Sequence, residues 1–207
     1  DGVDIPGLIN STDEDGTIPY KLQYLDLRLG HTCNLKCIMC SPHDSSMWVR
    51  DHKKVFPIFR SDLIKKQMGW DESSFNNYWH ENPAFWEEIY DQIPNIKQLY
   101  FAGGEPLIME EHYKILKELV RLERFDVQLI YNTNFSRLNL KNENVLDYWN
   151  LFKSVSVGAS LDGMGERAEY IRKGTKWDDI VRNREQMIER CPNTDLYVSS
   201  TVSLYNV

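Results

Sequence analysis

Apolar positions in this chain follow two alternating periods. Short runs in which apolar and polar residues alternate, or in which β-branched and aromatic residues crowd together, lie at Tyr24–Leu29 (YLDLRL), Ile96–Ala102 (IKQLYFA), Val127–Tyr131 (VQLIY), Ser154–Leu161 (SVSVGASL) and Leu196–Val202 (LYVSSTV). Each reads as a strand. Between them the spacing becomes helical. Glu110–Phe125 carries Ile115, Leu116, Leu119, Val120 and Leu122 on one side, and Trp177–Arg190 carries Ile180, Val181, Met187 and Ile188. A further helix is predicted over Asn142–Phe152. Strand and helix taking turns in this way predict βα units around a parallel sheet, that is, an α/β protein with a partial (β/α) barrel. Right-handed crossovers bring the C-terminal end of every strand to one face of that sheet.

The first part of the chain is less regular. Residues 1–20 are rich in Gly, Pro and Asp with little periodicity and read as an irregular lead-in, leaving 21–207 as the core domain. From Ser41 to about Asn95 comes a stretch rich in aromatics, among them Trp48, Phe56, Phe59, Trp70, Phe75, Tyr78, Trp79, Phe85 and Trp86, which reads as core filling or sheet cover. Ser61-Asp62 and Asn82-Pro83 look like helix starts, and Pro94 like a stop.

Composition narrows the function classes. The chain has 207 residues, with 24 basic against 31 acidic side chains and a net charge of −7. That balance disfavours a broad phosphate-neutralising surface, and so nucleic acid as the main partner. No apolar run is long enough to span a bilayer. Four cysteines, three of them clustered, do not make a disulfide scaffold, and a reducing, cytoplasmic setting is expected. Cys191, before Pro192, reads as a small buried hydrophobe.

The unusual residues fall at strand ends. Cys33, Cys37 and Cys40, spaced C-x3-C-x2-C, follow the first strand. Gly103-Gly104-Glu105-Pro106 follows the second, Asn132-Thr133-Asn134 the third, and Ser160-Leu161-Asp162-Gly163 the fourth. All four therefore share the face where α/β sheets and barrels hold their active sites. Three thiolate donors are one short of a closed tetrahedral site, so a metal centre held by them keeps an open position.

This order of motifs resembles the radical S-adenosylmethionine (SAM) superfamily. Cys33-Asn34-Leu35-Lys36-Cys37-Ile38-Met39-Cys40 has its cysteine signature, and Gly103-Gly104-Glu105-Pro106 its GGE motif. Ser160-Leu161-Asp162-Gly163 followed by Tyr170-Ile171-Arg172-Lys173-Gly174-Thr175 looks like the fourth-strand segment of members with a C-terminal SPASM or twitch extension. The resemblance covers roughly Leu22 to Val202. It implies a [4Fe-4S] cluster on Cys33, Cys37 and Cys40, whose fourth iron is chelated by S-adenosyl-L-methionine. Reductive cleavage then gives a 5′-deoxyadenosyl radical that takes hydrogen from a substrate, with the protein supplying position, shielding and tuning. It further implies cofactor contacts from Gly103, Gly104 and Glu105, from Asn132 and Asn134, from Ser160 and Asp162, and from Arg172, whose fork suits a carboxylate; Thr201 is a further candidate. Met39 stands where many members carry an aromatic residue against adenine, and its thioether can pack on a ring face. A peptide or protein side chain is the substrate class implied, with glycyl-radical activation or a nucleoside pathway as alternatives, and a low-potential donor such as flavodoxin or ferredoxin as partner. The family barrel has a sixth strand, so the chain reads as incomplete after the fifth.

Plainer readings stand beside these. His31 or His43 would complete a Cys3His structural zinc site in a non-catalytic binding module. Glu105 would sit at a helix start, Asn132-Thr133-Asn134 would cap a helix, Asp162-Gly163 would be a turn, and Arg172 would be a surface ion-pair partner.

Overall fold

The computed structural model describes residues 5–58, 61–63 and 79–207. Its centre is a sheet of five parallel strands: β1 (Tyr24–Arg28), β2 (Gln98–Ala102), β3 (Gln128–Thr133), β4 (Val155–Ala159) and β5 (Asp195–Val198), adjacent in chain order. Helices are α1 (Ile5–Asn10), α2 (Val49–Val55), α3 (Pro83–Gln92), α4 (Glu110–Arg121), α5 (Val145–Trp149), α6 (Gly165–Ile171) and α7 (Trp177–Arg190). The architecture is that expected of a partial (β/α) barrel.

Register explains the layering. Leu27, Phe101, Tyr131, Val157 and Leu196 form one row across the sheet. The first four are essentially inaccessible to solvent, and burial of side chains this size contributes about 2 kcal/mol each. Helix α4 covers this face with Tyr113, Ile115, Leu116 and Leu119, and α7 adds Ile180 and Met187. The neighbouring row, Asp26, Tyr100, Ile130, Ser156 and Asp195, lies on the opposite face, since successive strand residues alternate. The sheet thus has one apolar, helix-covered side and one more polar, open side.

Element ends follow local chemistry. Asn82 accepts the Ala84 N–H (3.1 Å) ahead of Pro83, which starts α3 where predicted. Helix α7 has the predicted span. Helix α5 is shorter than predicted, because Asn139–Leu140 pairs with Glu143–Asn144 in a small hairpin and Asn144 then caps the helix through the Leu146 N–H (2.9 Å). Strand β5 stops at Val198 rather than Val202, because the Thr201 N–H is drawn to the Asp162 carboxylate (2.7 Å). The lead-in read as irregular contains α1. Trp79, Phe85 and Trp86 do pack together, with ring centroids 4.7 and 5.2 Å apart for the pairs made by Phe85. Phe59, Trp70, Phe75, Tyr78 and nearly all of the helix read from Ser61-Asp62 lie outside the described residues. No helix among the described residues is long and apolar enough to cross a membrane.

Candidate functional site

The loops leaving β1 to β4 meet around a cavity of about 420 Å³ at the C-terminal ends of the strands. Cys33, Cys37 and Cys40 line it, with Gly103, Gly104, Asn132, Asn134, Ser160 and Arg172. Arg28, Tyr100, Thr133, His43 and Asp44 also line it.

The cysteine loop is shaped by groups just beyond it. The Ser45 hydroxyl donates to the Leu35 carbonyl (2.6 Å), the Cys33 N–H donates to Ser46 Oγ (3.2 Å), and Trp48 Nε1 donates to the Cys37 carbonyl (2.9 Å). Lys36 lies 4.5 Å over the Trp48 ring and pairs with Asp51. Lys36–Cys37 then forms a two-residue antiparallel bridge with Arg172–Lys173, placing Arg172 directly opposite Cys37.

The Gly-Gly-Glu loop is fastened to the same segment. The Gly104 N–H donates to the Gly30 carbonyl (3.0 Å) and the Glu105 N–H to the Thr32 carbonyl (2.9 Å). A β-carbon on Gly104 would stand 2.2 Å from the Thr32 oxygen, and one on Gly103, whose φ is +110°, 2.9 Å from the Gly30 oxygen. The glycines are thus required by the approach of one main chain to another.

Glu105 is buried and does not line the cavity. Its Oε1 accepts the Leu107 N–H (3.0 Å) and the Thr133 hydroxyl (2.7 Å), and Oε2 accepts the Asn134 N–H (2.7 Å). It ties the β2 loop to the β3 loop. Burial pushes its pKa up to about 7 against these three donors.

Asn134 turns toward the cysteines. Its Nδ2 lies 3.8 Å from Cys33 Sγ and 3.0 Å from Asn34 Oδ1. The next residue, Phe135, is buried at φ +57°, an uncommon conformation for a large side chain. The Phe135 N–H donates to Thr133 Oγ1 (3.0 Å) and its carbonyl accepts from Asn183 of α7 (2.9 Å). Asn132 Nδ2 donates to the Tyr100 hydroxyl (2.7 Å), and the Ser160 N–H to the Thr133 carbonyl (2.8 Å).

Arg172 is not a surface residue. It is 8% exposed, and its Nε donates to Asp162 Oδ2 (2.7 Å), while Asp162 is 3% exposed. Asp162 Oδ1 accepts from the Thr201 N–H (2.7 Å) and the Ser200 hydroxyl (3.4 Å). Asp162 therefore holds Arg172 rather than facing the cavity, and Thr201 contributes its main chain. Met39 is half-buried and does not line the cavity. Thr133 and Tyr100 were not singled out from the sequence. Thr133 stands between the two asparagines that were, and Tyr100 is marked only by its alternation in β2.

The thiols differ from one another. Burial pushes Cys33 up. Cys37 and Cys40 share a hydrogen bond; together with burial it holds Cys37 protonated, while Cys40, receiving it, is pushed down. Among the described residues no three His, Cys, Asp or Glu side chains are gathered close enough to share one metal ion.

A family model described as the radical SAM superfamily matches residues 27–202. The chain belongs to the radical SAM superfamily. Solved structures agree on the fold. Native anSMEcpe with bound AdoMet superposes with a TM-score of 0.52 at 16% identity, over 85% of this chain and 43% of that one. Streptococcus suis SuiB bound to precursor peptide SuiA gives 0.54 at 15% identity, over 97% and 38%. This radical SAM chain therefore spans less than half the length of either. No curated protein sequence matches it significantly.

The superfamily implies a [4Fe-4S] cluster and SAM, and the residues present fit both. Three sulfurs on one cavity wall are the soft donors an iron–sulfur cluster takes, and N–H groups already point at two of them. The cavity volume falls within the usual span for cofactor sites, about 300–1,000 Å³.

Proposed function

We propose that this chain is the SAM-cleaving core of an enzyme that abstracts hydrogen from a peptide or protein side chain. The observation that carries the reading is the convergence of Cys33, Cys37 and Cys40 with the diglycine loop and Arg172 on one cavity. When bound, the cluster and SAM together supply one-electron reductive cleavage and hydrogen-atom abstraction.

The chain's own residues do the rest. Cys33, Cys37 and Cys40 would hold the iron. The main chain of Gly103–Gly104 would offer carbonyl oxygens to the methionyl ammonium. Arg172, fixed by Asp162 through Nε and lying with Nη1 3.8 Å from Cys37 Sγ, lines the cavity, where the N–H groups left over would suit a carboxylate. Asn132 and Ser160 are neutral hydrogen-bonding groups suited to ribose hydroxyls. Glu105 acts by holding two loops in place rather than by touching the ligand. A low-potential protein such as flavodoxin or ferredoxin supplies the electron.

The peptide assignment draws on Ser160-Leu161-Asp162-Gly163 and the Tyr170–Thr175 segment, which resemble members carrying a SPASM or twitch extension. A structural relative, SuiB, was solved with a precursor peptide. Anaerobic reconstitution with iron and sulfide tests the core of the proposal. Reductant-dependent release of methionine and 5′-deoxyadenosine is expected; a protein that takes up no cluster, or takes one up without cleaving SAM, would overturn it.

A further inference from the structure

Two side chains from distant parts of the chain aim N–H groups at the proposed ligand sulfurs, and each is locked in that pose by a third group. The Asn134 amide is oriented by Ser136, whose N–H (2.9 Å) and hydroxyl (2.6 Å) both donate to Asn134 Oδ1. A main-chain N–H can only donate, so the oxygen must face Ser136 and the NH2 must face Cys33 Sγ, 3.8 Å away. Arg172 is oriented by Asp162 through Nε, which leaves Nη1 3.8 Å from Cys37 Sγ. Asp162 is itself pinned by the Thr201 N–H. Cys33 also receives the Leu35 N–H at 3.4 Å, a bond its own loop provides. The two side-chain donors instead bridge 101 and 135 residues of sequence.

We infer that Asn134 and Arg172 are positioning residues that set the reduction potential of the cluster through N–H···S bonds to Cys33 and Cys37. The inference rests on the cluster proposed above. Adding an electron places more negative charge on the sulfurs, and a donor held against them stabilises the reduced form, raising the potential. Both donors are nearly shielded from water, with Asn134 6% and Arg172 8% exposed, so solvent does not screen the effect.

The test is a redox titration of the anaerobically reconstituted chain, followed by electron paramagnetic resonance. Asn134→Leu is close in size, removes the donor to Cys33 and adds no charge. The double variant Arg172→Gln/Asp162→Asn removes the guanidinium without changing net charge or leaving a buried ion unpaired. Arg28→Gln is the control for charge alone: Arg28 lines the same cavity, pairs with Asp26 and touches no sulfur.

At the potential where the wild-type cluster is half reduced, the first two variants are expected to hold about tenfold less reduced cluster relative to oxidised, or about 59 mV for a one-electron couple. The control should move far less. Unchanged or raised midpoints in variants that load a cluster would overturn this inference alone, as would an equal shift in the control. Loss of the cluster from both variants would make the residues determinants of assembly, and would also overturn it. Failure of the wild type to load would instead remove the proposed function, and this inference with it.

Discussion

Replacing Glu105 with Gln exposes a competition at a buried carboxylate. Every group facing it donates: the Leu107 and Asn134 N–H groups can do nothing else, and the Thr133 hydroxyl already accepts from Phe135. A Gln amide must set its NH2 against one of the two main-chain donors. Relative to the ionised carboxylate it loses a bond worth about 1.5–3 kcal/mol and leaves a buried N–H without an acceptor, as the protonated carboxyl also does with its O–H. Opposed to this is relief from burying a charge. Burial raises the Glu105 pKa from 4.5 to about 7, and at about 1.4 kcal/mol per unit the ionised form is disfavoured by about 3 kcal/mol. The sign follows from proton binding. Between these values the folded chain holds a proton that the unfolded chain has released, so the stabilisation is complete below pH 4.5 and is lost as pH rises through about 7. The advantage of wild type over Glu105→Gln should therefore shrink by about 3 kcal/mol across that window and be flat above it. Urea unfolding of both proteins, followed by circular dichroism, measures the difference. Taken from pH 5.8 upward, clear of the isoelectric point near 5.3, about half of the change is in view. A difference that is flat or grows with pH would show that the three donors outweigh burial and that Glu105 is an ordinary anion.

Cys33, Cys37 or Cys40 to Ala should each abolish cluster uptake, seen as loss of visible absorbance and bound iron, while far-UV circular dichroism stays near wild type. Cys191→Ala should keep the cluster and cost about 1–2 kcal/mol in urea unfolding, because that thiol is buried and donates to the Leu146 carbonyl (3.3 Å). Gly104→Ala should cost at least about 3 kcal/mol and lower cluster uptake, since its β-carbon meets main chain that has no slack.

The strand-to-loop plan was legible in the sequence because each strand carries a period of two and each loop its own chemistry. All five strands lie within about two residues of their predicted starts. Their predicted ends were less secure, as at β5, because a side chain from elsewhere, Asp162, competes for the backbone. Helix α5 was overextended because the Asn139–Asn144 hairpin leaves no periodic trace. Within the site, the residue types could be named but not their divisions of labour. Glu105 looked like a ligand contact and proves to be a brace between loops, a role set by what lies across the sheet at Thr133 and Asn134. Arg172 could be read as a surface ion pair until the Cys37–Arg172 bridge placed it inside. Such pairings depend on register between segments 28 residues apart for Glu105 and Thr133 and 135 apart for Cys37 and Arg172, which spacing alone does not encode.

The main-chain bonds from Gly104 to Gly30 and from Glu105 to Thr32 continue the β1–β2 ladder past the end of the sheet. A zipper built from peptide groups moves as one plate, so the diglycine side of the cavity is a fixed jamb rather than a door.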